Sequence, residues 1–156
     1  MTGGTTNHNR LVLEFCTYLN FALREQNAEV FAGDVRLWIP DYREYTYPDI
    51  MVVKEQPIYQ TPGTTTITNP TIIVEVLSKS TQARDRGDKF RFYRSIPEFK
   101  EYILIDQYSL LVEHFVKTSE HQWILTEYET KESKLSLDSV EFEISLEELN
   151  KRVNFD

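Results

Sequence analysis

Pro70-Thr71-Ile72-Ile73-Val74-Glu75-Val76-Leu77-Ser78 is a nearly unbroken apolar run with a single carboxylate inside it. A run of this length, rich in branched residues, reads as a strand buried on both faces. Glu75 can sit there only if it is paired, hydrogen-bonded or bound to a cation. Some twenty residues upstream, Tyr47-Pro48-Asp49-Ile50-Met51-Val52-Val53 repeats the arrangement, with Asp49 at the head of the apolar stretch. Two carboxylates set into strand-like runs point to a shared metal.

Downstream, Thr81 can cap a helix running to about Ser95, which Pro97 helps to end, and Glu101 to Asp106 reads as another strand. Strand, helix, strand is the pattern of a right-handed parallel crossover. Glu75 then lies near the exit of the first strand, where ligand sites gather in open sheets. On the crossover helix, Asp85, Lys89, Phe92, Tyr93 and Ile96 share one stripe, and Arg84, Asp88, Arg91 and Ser95 another. The first stripe holds the apolar members, so it should face the sheet and carry Lys89 toward the carboxylates. The plain alternative for Lys89 is an exposed ion pair with Asp85, worth about 0.3–0.5 kcal/mol.

The rest of the chain fits around this unit. Leu11, Phe15, Tyr18 and Ala22 recur at helical spacing and predict an amphipathic helix from about Asn9 to Gln26. Ala28 to Phe31, Val35 to Ile39 and Asp49 to Val53 read as short strands divided by turn residues, and 54–69 as a loop or a poorly formed hairpin. Leu111 to Lys117 and Trp123 to Tyr128 suggest an antiparallel pair. Ser145-Leu146-Glu147-Glu148 is a capping box that opens a last short helix. With no repeat and no linker, the sequence reads as one mixed α/β (α+β) domain over residues 1–156.

The net charge of −8 argues against a general polyanion binder. Its distribution is uneven: residues 1–78 sum to −4, residues 79–100 to +4 and residues 101–156 to −8. The basic segment directly follows Glu75, and Arg84, Arg86 and Arg91 are its candidate nucleic-acid contacts. The single cysteine, Cys16, sits in an apolar helical pattern as a buried, inert thiol. His8, His114 and His121 lack zinc-site spacing and read as ordinary histidines. Asp106 is read as a turn cap. There is no serine elbow and no glycine-rich phosphate loop. No apolar run is long enough to span a bilayer and no signal-peptide core is present, so no membrane partner is expected and the sequence reads as cytoplasmic.

Taken together, Pro48-Asp49, Ile73-Val74-Glu75-Val76-Leu77-Ser78, Asp85-Arg86-Gly87-Asp88-Lys89 with Tyr93, and Pro97-Glu98-Phe99-Lys100-Glu101-Tyr102 with Asp106 resemble the Uma-type restriction endonuclease family of the PD-(D/E)XK nuclease superfamily. The resemblance runs from about His8 to Asp106 and includes Gly33-Asp34-Val35-Arg36. It implies a restriction-endonuclease-like core, a central mixed β-sheet flanked by helices. It also implies a DNA endonuclease in which Asp49 and Glu75 bind Mg²⁺ or Mn²⁺, and a homodimer. Hard oxygen donors of this kind suit magnesium, which takes one or two protein carboxylates.

The superfamily pattern places a lysine two residues after the glutamate, where this chain has Leu77. Lys89 is the expected substitute and Lys79 its rival. Asp34, Ser78 and Tyr93 are possible supporting residues. Family members carry a further helix and an acidic hairpin ahead of the helix that begins here near His8. Two other readings use the same residues: a nuclease fold that kept nucleic-acid binding or regulation without catalysis, and a protein-interaction domain built on the acidic tail with Glu141, Glu143, Glu147 and Glu148.

Overall fold

The protein is described by a computed structural model covering residues 4–155. Helix α1 (Thr6–Ala22) is followed by strands β1 (Ala28–Ala32), β2 (Arg36–Ile39), β3 (Glu44–Thr46), β4 (Ile50–Lys54), β5 (Thr66–Ile67) and β6 (Ile72–Leu77). Then come α2 (Gln82–Arg86), α3 (Asp88–Tyr93), β7 (Glu101–Asp106), β8 (Val112–Ser119), β9 (Gln122–Tyr128), β10 (Lys134–Ser136), β11 (Glu143–Ser145) and α4 (Leu146–Leu149). A six-stranded sheet in the order β1-β4-β6-β7-β8-β9 forms the centre. Only β6 and β7 run parallel in it, so the expected crossover unit is present within an otherwise antiparallel sheet.

The central strands alternate between two cores, as side chains on a pleated strand must. Ile50, Val52, Ile72, Val74, Val76, Ile103 and Ile105 join Leu11, Phe15 and Leu19 of α1 and the apolar residues of β10, β11 and α4. Met51, Val53, Ile73, Leu77, Tyr102 and Leu104 join Phe90 and Tyr93 of α3 and the apolar residues of β2 and β5. Burying each large aliphatic side chain stabilises the fold by roughly 1.5–3 kcal/mol before entropy is subtracted. Glu75 falls in the second series, between Ile73 and Leu77, so its carboxylate is carried to the α3 side of the sheet.

Two local expectations are revised and a third is refined. The helix from Thr81 to Ser95 is broken at Gly87, whose φ of −99° and ψ of −101° are not helical. The Tyr102 hydroxyl donates to the Asp85 carbonyl oxygen (2.8 Å), taking the acceptor that an unbroken helix would give to the amide of Lys89. Thr81 does not cap the helix with its side chain; its Oγ1 instead accepts from the Ser78 amide (3.2 Å). The segment 54–69 forms the poorly developed hairpin that is one reading of its sequence, with an antiparallel bridge between Tyr59 and Ile67, and Thr66–Ile67 also pairs in parallel with β2 in a small sheet ordered β3-β2-β5. At the far end, the Ser145–Glu148 capping box forms as the sequence predicts. No helix among the described residues is long and apolar enough to cross a membrane.

Candidate active site

A cleft of about 570 Å³ opens where the ends of β4 and β6 meet the first turn of α1 and helices α2 and α3. Ile50 pairs with Val74 across β4 and β6, and one step beyond that pair Asp49 lies beside Glu75. The two acids brace each other through the backbone: the Asp49 amide donates to Glu75 Oε1 (2.8 Å), and the Val76 amide donates to Asp49 Oδ2 (2.8 Å). This fixes both carboxylates to the sheet without using a cation.

Helix α3 supplies the counter-charge. Lys89 Nζ lies 2.7 Å from Glu75 Oε2 and 3.2 Å from Asp85 Oδ1. The Tyr93 hydroxyl donates to the same Glu75 oxygen (3.2 Å) and lies 3.3 Å from the Thr46 hydroxyl. Glu75 and Asp85 are each only 2% exposed, so these charges interact in a poorly screened environment. Burial pushes the Glu75 carboxyl up to about 7, with Lys89 opposing the rise and Asp49 and Asp85 adding to it. Burial also disfavours the Lys89 ammonium, but Glu75 and Asp85 outweigh it and the lysine is raised. Tyr93 is driven well above the usual phenol range, first by its own burial and then by the charge of Glu75.

His8 corrects the reading of it as an ordinary histidine. Thr5 caps α1 by accepting from the His8 amide (3.0 Å), and its hydroxyl also donates to Gln107, which in turn donates to the Leu77 carbonyl (2.7 Å). The start of the helix is thereby tied to the sheet beside the acids. There His8 Nε2 lies 3.2 Å from Asp49 Oδ2, and this hydrogen bond raises the imidazole pKa against the opposing effect of burial. Forty-one residues separate the partners in sequence, and no local spacing announced the contact. Asp85 was visible only as a helical neighbour of Lys89, although its carboxylate is buried and lines the cleft.

The other expected residues divide. Ser78 and Lys79 line the cleft, but the Lys79 ammonium reaches no carboxylate and sits 5.4 Å from the centre of the Tyr108 ring. Lys89, not Lys79, touches the acids. Asp34 stays exposed in the turn between β1 and β2, beside Gly33 at φ +56°, and does not line the cleft. Arg84, Arg86 and Arg91 do not line it either. Arg86 is bound by Glu113 of β8 (3.1 Å), and Arg91 borders a separate groove with Arg94, Tyr42 and Trp123. The buried faces of α2 and α3 hold Asp85, Lys89 and Tyr93, which leaves the arginines on other sides. Cys16 is half-buried and its thiol is pushed up to about 11 by burial, in line with an inert role. Asp106 caps its turn by accepting from the Tyr108 and Ser109 amides (2.7 and 3.2 Å).

Among the described residues, no three His, Cys, Asp or Glu side chains are drawn together as a ready metal cage. Open acceptors nevertheless remain. Both hydrogen bonds to the Asp49 carboxylate fall on Oδ2, and Asp85 Oδ1 is buried with no hydrogen-bond donor.

The Uma2 family, described as "Putative restriction endonuclease", matches residues 1–148. The chain belongs to this family. Two similar proteins come from Synechocystis sp. PCC 6803. The uncharacterized protein sll1609 is 42% identical over 81% of this chain and 72% of its own length, and the uncharacterized protein slr1290 is 33% identical over 90% and 72%. A solved structure from Anabaena variabilis, described as a "putative nuclease belonging to DUF820", matches with a TM-score of 0.77 over 97% of this chain and 83% of its own. At 17% identity that likeness is one of fold. The Uma2 assignment and the mixed sheet flanked by helices agree with the resemblance carried by Asp49, Glu75 and Lys89.

Proposed function

We propose that this Uma2 chain is a metal-dependent DNA endonuclease that hydrolyses phosphodiester bonds, with Asp49 and Glu75 as metal ligands and Lys89 as the charged catalytic helper. The observation that carries the reading is the convergence of these three side chains, from β4, β6 and α3, in one open cleft. The donor set fits a magnesium or manganese ion, because it is made of hard oxygens and Asp49 Oδ1 makes no hydrogen bond. When bound, such an ion would supply Lewis-acid charge to a phosphate oxygen and make a bound water more acidic.

The chain's own groups do the positioning. Tyr93 and the Asp49 amide fix the Glu75 carboxylate, while Val76 and His8 fix that of Asp49. The Lys89 ammonium lies where it can offset charge building on a phosphate in the transition state. Cutting both strands of a duplex calls for two such sites, so the reading includes a homodimer.

The test is plasmid cleavage with Mg²⁺ or Mn²⁺, comparing the wild type with Glu75→Gln prepared identically. We expect cleavage by the wild type and a loss of at least about 10³-fold in the variant. Equal cleavage by both would move the chemistry away from Glu75. No cleavage by folded wild type would favour the nuclease-fold binding module over the enzyme.

A further inference from the structure

Asp85 Oδ1 is a buried carboxylate oxygen without a hydrogen-bond donor, and such groups are rare enough in folded proteins to need a reason. It is ion-paired with the Lys89 ammonium at 3.2 Å, a looser contact than the 2.7 Å hydrogen bond that Lys89 gives Glu75. We propose that Asp85 is a positioning residue that takes over the Lys89 ammonium when a divalent cation binds at Glu75. The proposal rests on the metal-site reading above and adds a role for a residue which that reading leaves unused.

The argument starts from Glu75. Its Oε2 already receives both Lys89 and Tyr93, which fills the two lone pairs of that oxygen. A dication on the same carboxylate would repel the ammonium strongly in so buried a place. Oε1 accepts only the Asp49 amide and keeps room for the cation, so of the two donors on Oε2 it is the charged one that the repulsion acts on. Tyr93 is fully buried, its ring packed against Phe99 and Tyr102 with centroids 5.9 and 5.7 Å apart, and its hydroxyl is also held by Thr46. Lys89 is partly exposed on a flexible four-carbon stem, so it is the group that moves. The backbone of Asp85 is pinned by Tyr102, and the break at Gly87 sets the two helices apart at this point. An acceptor with no aligned hydrogen-bond donor thus lies 3.2 Å from the ammonium. In the metal-free protein Lys89 holds the cation position; in the metal-bound protein Asp85 keeps the ammonium near the reacting phosphate instead of releasing it to water.

Mn²⁺ binding to the metal-free protein, measured by calorimetry on the wild type, Asp85→Asn, Lys89→Met and the double variant, tests this without any turnover. We expect Asp85→Asn to weaken Mn²⁺ binding by about tenfold and Lys89→Met to tighten it by about tenfold. The double variant should bind like Lys89→Met, because without an ammonium Asp85 has nothing to hold. Equal weakening by Asp85→Asn in both backgrounds would make Asp85 a direct ligand and overturn the proposal, as would no effect in either. Lys89→Met needs no change at Asp85; unchanged or weaker Mn²⁺ binding by that variant overturns the competition even if Asp85→Asn does not fold. Absence of Mn²⁺ binding in both wild type and Lys89→Met removes the metal-site reading itself, whereas binding that ignores Asp85 removes this proposal alone.

Discussion

Two buried glutamates lie on neighbouring parallel strands, and they are built for opposite purposes. Glu101, at the start of β7, is 0% exposed, and its carboxylate accepts from His114 Nε2 (2.7 Å) and from the amides of Asp138 and Ser139 (3.0 and 2.7 Å). Glu75, on β6, is 2% exposed, yet it borders an open cleft and accepts from one amide, that of Asp49, and from the Lys89 ammonium and the Tyr93 phenol. Burial opposes ionisation of both. At Glu101 the hydrogen bonds from His114 and the 138–139 loop overcome it and the pKa is lowered, while at Glu75 burial wins and the pKa is raised. The difference is in the donors: two amides and His114 tie Glu101 into the fold, whereas Glu75 has one amide and shares its other oxygen between a lysine and a phenol. Burial of a carboxylate alone therefore says little about function.

The contrast can be broken most directly by stability. Glu101→Ala should cost about 3 kcal/mol, because it strands His114 and two amides without their acceptor. For a chain of this size that corresponds to a fall in Tm of roughly 10 °C. Glu75→Gln, an isosteric change that relieves repulsion from Asp49 and Asp85, should leave Tm within about 3 °C of the wild type or raise it. Thermal melts of the two variants side by side decide the matter; equal large losses would make Glu75 a structural acid like Glu101.

Smaller effects sharpen the comparison. Lys89→Ala should slow cleavage by about 100-fold while changing the Kd for DNA little, in keeping with a charge that acts on the transition state. Normal cleavage by this variant would show that Lys89 is only a partner for Glu75. His8→Ala should slow cleavage by about tenfold, since Asp49 keeps its bond from the Val76 amide. A single-turnover assay separates these losses from binding.

The smallest effect concerns pH. The Glu101 pKa is lowered from the usual value of 4.5, so its contribution to stability is full above that value and is lost as the pH falls through the lowered one. Denaturant melts between about pH 5 and 2 should show a steeper acid loss in the wild type than in Glu101→Gln. Matching slopes would mean that the Glu101 network does not favour the ionised form.

Much of this was legible from local pattern. The run from Ile72 to Leu77 and the apolar stretch after Asp49 are read on the chain because burial on both faces leaves a nearly continuous apolar signature. The same pattern exposed Glu75 as out of place. Helical spacing was enough to turn Lys89 and Tyr93 toward the sheet, even though the helix is in fact two short ones. What the pattern missed depends on distant partners. Thr66 and Ile67 pair with β2 as well as across the hairpin to Tyr59, and at the break of the helix at Gly87 the Asp85 carbonyl accepts from the distant Tyr102 hydroxyl.

The sequence by itself determined which strands are buried and which two carboxylates they carry, and put Lys89 on the stripe facing them with Lys79 still a rival, since each follows from periodicities of two or 3.6 residues within a short window. The tertiary structure alone decided that His8 meets Asp49, that Glu101 is held by His114 and two amides while Glu75 faces an open cleft, and that Asp85 is buried beside Lys89. Those outcomes depend on which donors arrive from elements far apart in the chain, and the number and mobility of those donors set what a buried charge can do.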